Sequence, residues 1–322
     1  MRFTVRAPGS SANLGPGFDA LGLALDLWNE IVVDTDAAPG SVVYEGRDAA
    51  LLTESDRENL SLRAMRQLAE AHGRTLPGFG LTVRTAVPVA RGLGSSATAL
   101  VAGLLAADHL LALDLTQDEI YAHAWRMEGH GDNVGAALYG GAILAVPKVP
   151  HAVRLCDAAG IARLGLVTVI FIPEITGATW AARAALPALV PLPDAAHNIA
   201  TAAGLAVGLL TGDRTLIAAG MDDRLHQPYR ARLFPHLTPL TEAAVESGAV
   251  GACLSGAGPS ILALVDPAIA PAVSAALTAA AARVGVQGES VILPPSSQGA
   301  YVVADDGFEN AIQASRTSVR AD

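Results

Sequence analysis

The stretch Val87-Pro88-Val89-Ala90-Arg91-Gly92-Leu93-Gly94-Ser95-Ser96-Ala97-Thr98 joins a strand-like segment to an apolar run of helical length. Upstream, Leu81 and Val83 alternate with Thr82 and Arg84; downstream, residues 97–113 are almost wholly apolar. A helix beginning at the end of a glycine-rich loop presents N–H groups that lack intrahelical partners, and its dipole favours negative charge. The loop therefore reads as an anion cradle that needs no basic side chain. Gly92 and Gly94 allow close backbone approach, and Ser95 or Ser96 can cap the helix or reach a metal. A Walker loop requires a lysine, and none follows Gly94. The relaxed dinucleotide fingerprint Gly92-x-Gly94-x-x-Ala97 requires a second strand ending in an acid, whereas here the helix runs into Asp114-Leu115-Thr116-Gln117-Asp118-Glu119, the start of another helix.

Outward from that loop, 322 residues exceed the usual single-core limit and predict two packed lobes, with a boundary at Pro147-Lys148-Val149-Pro150 between residues 1–150 and 151–322. A net charge of −10 argues against nucleic acid or an anionic membrane as partner, so any phosphate site must be local. Cys156 and Cys253 are far apart and have no ligand-spaced His or Cys, so neither a disulfide framework nor a zinc site is indicated, which fits a reducing cytoplasm. Residues 1–8 alternate like a strand rather than forming a signal peptide, and the alanine-rich stretches 97–107 and 268–282 are shorter than a membrane span.

In the first lobe the pattern predicts a strand over 2–7, then a long loop Pro8–Asp19 of small and turn-forming residues. There Asn13 offers a donor and an acceptor, and Asp19 a carboxylate for an amine or a hydroxyl proton. Leu21–Leu27 leads to strands at 30–36 and 41–45, a polar loop at 54–59, and a helix over 60–71 with Asn59 as its cap. Helices over 97–113 and 117–127 lead to Glu128-Gly129-His130-Gly131-Asp132-Asn133-Val134, a compact polar turn suited to a metal or substrate, and then to a strand at 140–146. The second lobe reads as a strand at 164–172, a short helix around Arg183, helices at 194–210 (capped by Asp194) and 213–223, and strands 249–254 and 260–265 around the turn Ser255-Gly256-Ala257-Gly258-Pro259. A helix over 267–284, a strand near 301–304 and a polar tail from Asp305 complete it. Taken singly, Arg183 and Arg230 would be surface ion pairs.

Three motifs stand together: Pro8-x-x-x-Ala12-Asn13 with Gly17-Phe18-Asp19, Gly92-Leu93-Gly94-Ser95-Ser96-Ala97, and Ser255-Gly256-Ala257-Gly258-Pro259-Ser260. Their order and spacing resemble the GHMP kinases (galacto-, homoserine, mevalonate and phosphomevalonate kinases). The nearest resemblance is to the homoserine kinase family, whose first motif matches Ser10–Asp19 almost throughout. Residues 128–134, Ala182–Pro187 and Pro228–Pro235 also resemble that family's substrate-side segments.

The resemblance implies an α+β, two-lobe GHMP kinase fold, with an N-terminal lobe like ribosomal protein S5 domain 2 and a ferredoxin-like α/β C-terminal lobe. It implies phosphoryl transfer from ATP to the hydroxyl of L-homoserine for threonine synthesis. Ser96 and Glu128 would hold Mg²⁺; Pro88, Arg91, Gly92, Leu93, Gly94, Ser95 and Ser96 would wrap the nucleotide with Ser255, Gly256 and Gly258, and Asn59 would lie near the adenine. Asn13, Asp19, His130, Asp132, Asn133, Arg183 and Arg230 match positions around the amino acid, with Asp132, Asn133 and Asp19 nearest the chemistry. The chemistry of homoserine agrees: two arginines can meet its carboxylate, Asp19 or Asp132 its ammonium, and the hydroxyl must lie in line with the γ-phosphate.

Two departures matter. Where mevalonate kinase has a lysine after Pro-Gly, this chain has Ser10, which leaves Asp132 or the γ-phosphate itself to take the hydroxyl proton. Gly131 and Ala136 stand where the family commonly has proline. The alternatives are another small-molecule GHMP kinase acting on a mevalonate- or shikimate-type substrate, and a non-catalytic ligand sensor. An arginine pair with an acid for an ammonium speaks against the first, and the intact Ser96, Glu128 and Asp132 against the second. A homodimer is compatible with the sequence but is not read from it.

Overall fold

The computed structural model describes residues 1–52 and 59–304, so the polar loop read at 54–59 (Asn59 apart) and the tail from Asp305 lie outside the described residues. The chain runs β1 (Arg2–Ala12), β2 (Leu21–Asp34), β3 (Val42–Gly46), α1 (Leu60–Ala71), β4 (Gly80–Thr85), α2 (Ser95–Leu111), α3 (Gln117–Glu128), α4 (Asp132–Tyr139), β5 (Ala142–Leu144) and β6 (Val153–Cys156). It continues through α5 (Ala158–Leu164), β7 (Val167–Pro173), α6 (Thr179–Ala184), α7 (Leu192–Thr211), α8 (Arg214–Gly220), α9 (Gln227–Arg230) and α10 (Leu237–Glu246). The last elements are β8 (Gly251–Leu254), β9 (Ile261–Val265), α11 (Ala270–Arg283), β10 (Gly288–Leu293) and β11 (Tyr301–Ala304).

One sheet runs β11-β1-β2-β4-β3, with β5 and β6 continuing from β2; the other runs β10-β7-β9-β8 with every neighbour antiparallel, the ferredoxin-like order. The first sheet and helices α1 to α4 bury one apolar core, and α10 and α11 bury another against the second sheet. A third core joins the two: Leu14, Leu21, Leu23 and Leu25 from the first lobe pack with Ile170, Ile172, Leu205 and Leu262 from the second.

That junction explains where the sequence reading departs from the structure. β1 continues through Pro8–Ala12, where the sequence pattern predicts a loop, and β2 is one strand from Leu21 to Asp34, where the pattern predicts a strand only from residue 30. In β1, Phe3, Val5 and Ala7 alternate with more exposed neighbours, but residues 8–12 are all buried, as are 21–25 in β2. Alternation disappears where both faces of a strand are covered. β6 and β11 follow the boundary drawn at 147–150 yet hydrogen-bond into the first sheet, β11 pairing with β1 over Phe3–Arg6. Helix α4, where a turn was read, and strand β10 had no sequence counterpart, and Asp194 sits in the first turn of α7 behind Pro191 rather than capping it. Both cysteines are buried and free, and burial pushes the Cys253 thiol up to about 12. Among the described residues no helix is long and apolar enough to cross a membrane.

Candidate active site

The glycine loop connects β4 to α2. Gly92 and Gly94 have φ of 75° and 73°, in the left-handed region that only glycine enters freely. A Cβ on Gly92 would strike the Ser255 carbonyl, and one on Gly94 the Ser10 hydroxyl. Gly94 occupies the cap position of α2 without any side-chain cap, so the first N–H groups of this 17-residue helix remain open to the cleft. Neither Ser95 nor Ser96 caps; the Ser96 hydroxyl instead donates to Glu128 Oε1 at 2.7 Å.

The loop is fixed from both lobes. Asn29 Oδ1 accepts from the Ala86 and Val87 N–H groups, and Asp48 Oδ2 accepts from Val89 N–H. Arg91 lines the cleft, and its guanidinium is held by the Pro173 and Glu174 carbonyls at 2.9 Å and by Asp48 at 3.0 Å. Ser255 donates to the Gly92 carbonyl at 2.7 Å and lies 2.8 Å from the Ser11 hydroxyl.

The glycine loop borders a cavity of about 320 Å³. Its apolar end contains Ile31, Tyr44, Val83 and Pro88 beside Asn59, which caps α1 through a 2.9 Å bond from Leu62 N–H and donates to the Tyr44 hydroxyl. The middle holds Gly92 to Ser96 and Glu128, and the far end Asn13, Asp19, His130, Asp132, Asn133, Arg183, Arg230 and Gly256. Ser255 and Gly258 stand behind this wall, not on it.

At the far end Asp132, 1% exposed, opens α4 and lies 2.6 Å from His130 Nδ1. Burial acts to lower the His130 pKa, but that hydrogen bond and the charges of Asp132, Glu128 and Asp19 outweigh it and raise it above the usual value. Asn13 Oδ1 accepts from the Asp19 N–H and Asn13 Nδ2 donates to the Gly256 carbonyl, so its amide shapes the loop. Arg183 forms a two-pronged pair with Asp19 at 2.8 and 2.9 Å. Both arginines lie over Phe18, their guanidinium carbons 5.3 and 5.5 Å from the ring centre. Asp19, His130 and Asp132 bring ligand atoms within 4.8 Å of one another, but Arg183 already supplies a cation there.

Sequence reasoning missed Asn29, Asp48 and the platform role of Phe18. A polar residue between Trp28 and Glu30 in a strand is a weak signal, and Asp48 offers none at all.

The description "GHMP kinases N terminal domain" matches residues 59–141, and "GHMP kinases C terminal" matches 205–283. The homoserine kinase of Thermosynechococcus vestitus is 41% identical over 92% of this chain and 98% of its own. That of Gloeobacter violaceus is 43% identical over 85% and 91%. The crystal structure of homoserine kinase from Cytophaga hutchinsonii superposes with a TM-score of 0.83 at 29% identity, covering 94% of this chain and 97% of that one. Together with a lysine-free glycine loop facing two arginines across one cavity, these matches place the chain in the homoserine kinase family of the GHMP kinases.

Proposed function

We propose that this cleft transfers the γ-phosphate of ATP to the side-chain hydroxyl of L-homoserine, giving O-phospho-L-homoserine and ADP, as a cytoplasmic step of threonine biosynthesis. The observation that carries the reading is the shared cavity, in which the open N-terminus of α2 faces Arg183, Arg230, Asp19 and Asp132.

Main-chain N–H groups from Gly92 to Ser96 bind the phosphate oxygens, and the apolar end beside Asn59 takes the base. Ser96 and Glu128, with oxygens 2.7 Å apart, form a hard-oxygen pair that suits Mg²⁺, which when bound neutralises charge on the phosphates. Arg230 and Arg183 meet the substrate carboxylate, and Asp19 exchanges part of its pairing with Arg183 for the ammonium. Asp132 and Asn133 orient the hydroxyl. Its oxygen forms the new bond to phosphorus as the bridge to ADP breaks, and its proton passes to Asp132 or to the transferred phosphoryl group.

ADP release measured against L-homoserine, mevalonate, shikimate and galactose tests the reading. L-Homoserine is expected to give the highest kcat/KM, by roughly tenfold or more, because only it satisfies both the arginines and an acid. A preference for mevalonate, which has no ammonium, would refute it.

A further inference from the structure

Little of the Arg230 side chain is free. Its Nε donates to the Ala182 carbonyl at 3.2 Å, and its Nη1 divides two hydrogens between the Gly256 carbonyl at 3.1 Å and His226 Nδ1 at 3.2 Å. Among the described residues Nη2 has no hydrogen-bond partner, so this edge is left to meet a carboxylate in the cavity.

His226 is fully buried and does not line the cavity. Its Nε2 lies 2.7 Å from the Gly15 carbonyl, a group that can only accept, so Nε2 carries the hydrogen and Nδ1 keeps the lone pair that Arg230 uses. Burial depresses the imidazole pKa against the opposing charge of Asp223, and the Arg230 charge depresses it further, which favours this neutral form.

The segment carrying His226 is itself fixed. The Asp223 carboxylate accepts the N–H groups of Leu225, His226 and Gln227, and Asn198 ties Asp223 to the Pro16 carbonyl. The Gly256 carbonyl that accepts from Arg230 also accepts from Asn13, whose Oδ1 holds the Asp19 N–H. Two buried paths thus run from Arg230 to the loop bearing Asp19: one through His226 and Gly15, the other through Gly256 and Asn13.

We propose that His226 is a positioning residue whose imidazole, donating to Gly15 and accepting from Arg230, sets the distance between Arg230 and Asp19 and thereby the fit of an α-amino acid. The inference rests on the proposed function, in which those two side chains meet the carboxylate and the ammonium.

Steady-state kinetics of His226→Phe and His226→Gln, each in the wild-type and Arg230→Lys backgrounds, test it. His226→Phe is expected to raise the KM for L-homoserine by on the order of tenfold, with the KM for ATP unchanged, because a hydrogen bond to a charged group is lost. His226→Gln, with an amide that can both donate and accept, should recover part of that loss. Against Arg230→Lys, His226→Phe should add little, since residues acting as a unit are not additive. An unchanged homoserine KM, or the same fold-loss in both backgrounds, would overturn the proposal.

Imidazole ¹⁵N shifts give a readout independent of substrate. Nδ1 should report a hydrogen-bonded acceptor that changes in Arg230→Lys, and a resonance unaffected by that substitution would overturn the pairing. If wild-type protein is inert towards L-homoserine, the substrate assignment and the amino-acid fit built on it both fall, and these shifts decide the His226–Arg230 pairing alone.

Discussion

Arg183 and Arg230 carry the same charge in opposite settings. The Arg183 side chain is 47% exposed, and its pairing with Asp19 raises its pKa. Arg230 is 2% exposed, and burial together with the nearby Arg183 charge lowers its pKa to about 10, which leaves it protonated at neutral pH. An exposed pair exchanges partners at low cost, whereas a buried guanidinium with one unpaired edge is prearranged for an anion. Arg230→Ala should therefore raise the KM for L-homoserine by roughly ten- to a hundredfold, with the KM for ATP little changed. Equal increases in both constants, measured by ADP release, would remove Arg230 from the amino-acid end. In the sequence, each arginine alone reads as a surface ion pair; Arg230 is held by His226, one helical turn before it, and by the carbonyls of Ala182 and Gly256, which no local pattern links to it.

At the scale of elements, the loop into α2 was legible because its signals are local: glycines, hydroxyls and the onset of an apolar helix. The groups that fix the loop were not. Asn29 and Asp48 reach it from 57 and 41 residues away. Helix α4 was hidden behind the glycines of the polar turn, and the inner halves of β1 and β2 behind burial on both faces. The loop geometry gives a controlled test. Gly92 and Gly73 both have positive φ, but a Cβ at Gly73 meets nothing within 4 Å, whereas one at Gly92 strikes the Ser255 carbonyl. Gly73→Ala should cost only about 1–2 kcal/mol of backbone strain and leave the KM for ATP unchanged. Gly92→Ala should displace the loop and raise that KM by about tenfold or more. Similar ATP constants for the two variants would contradict the assigned role of the loop.

At the scale of the molecule, the cleft exists because two lobes are joined through a shared apolar core. The first lobe supplies the glycine loop, Glu128 and Asp132, and the second supplies Arg183 and Arg230. Arg91, Ser255, Asn13 and His226 each make hydrogen bonds from one lobe to the other, and the shared core around Leu23 and Ile170 lies beneath them. Two lobes could be read from length and motif order, but the return of β11 to pair with β1 could not, since its partners stand about 300 positions apart with no local signal to join them. The most direct test of the account is a crystal structure of the protein with L-homoserine and a non-hydrolysable ATP analogue. Phosphate oxygens are expected on the main-chain N–H groups of Gly92 to Ser96, the homoserine carboxylate on Arg230 and Arg183, and the ammonium on Asp19. A homoserine molecule bound away from Arg230, or a triphosphate held without those amides, would contradict it.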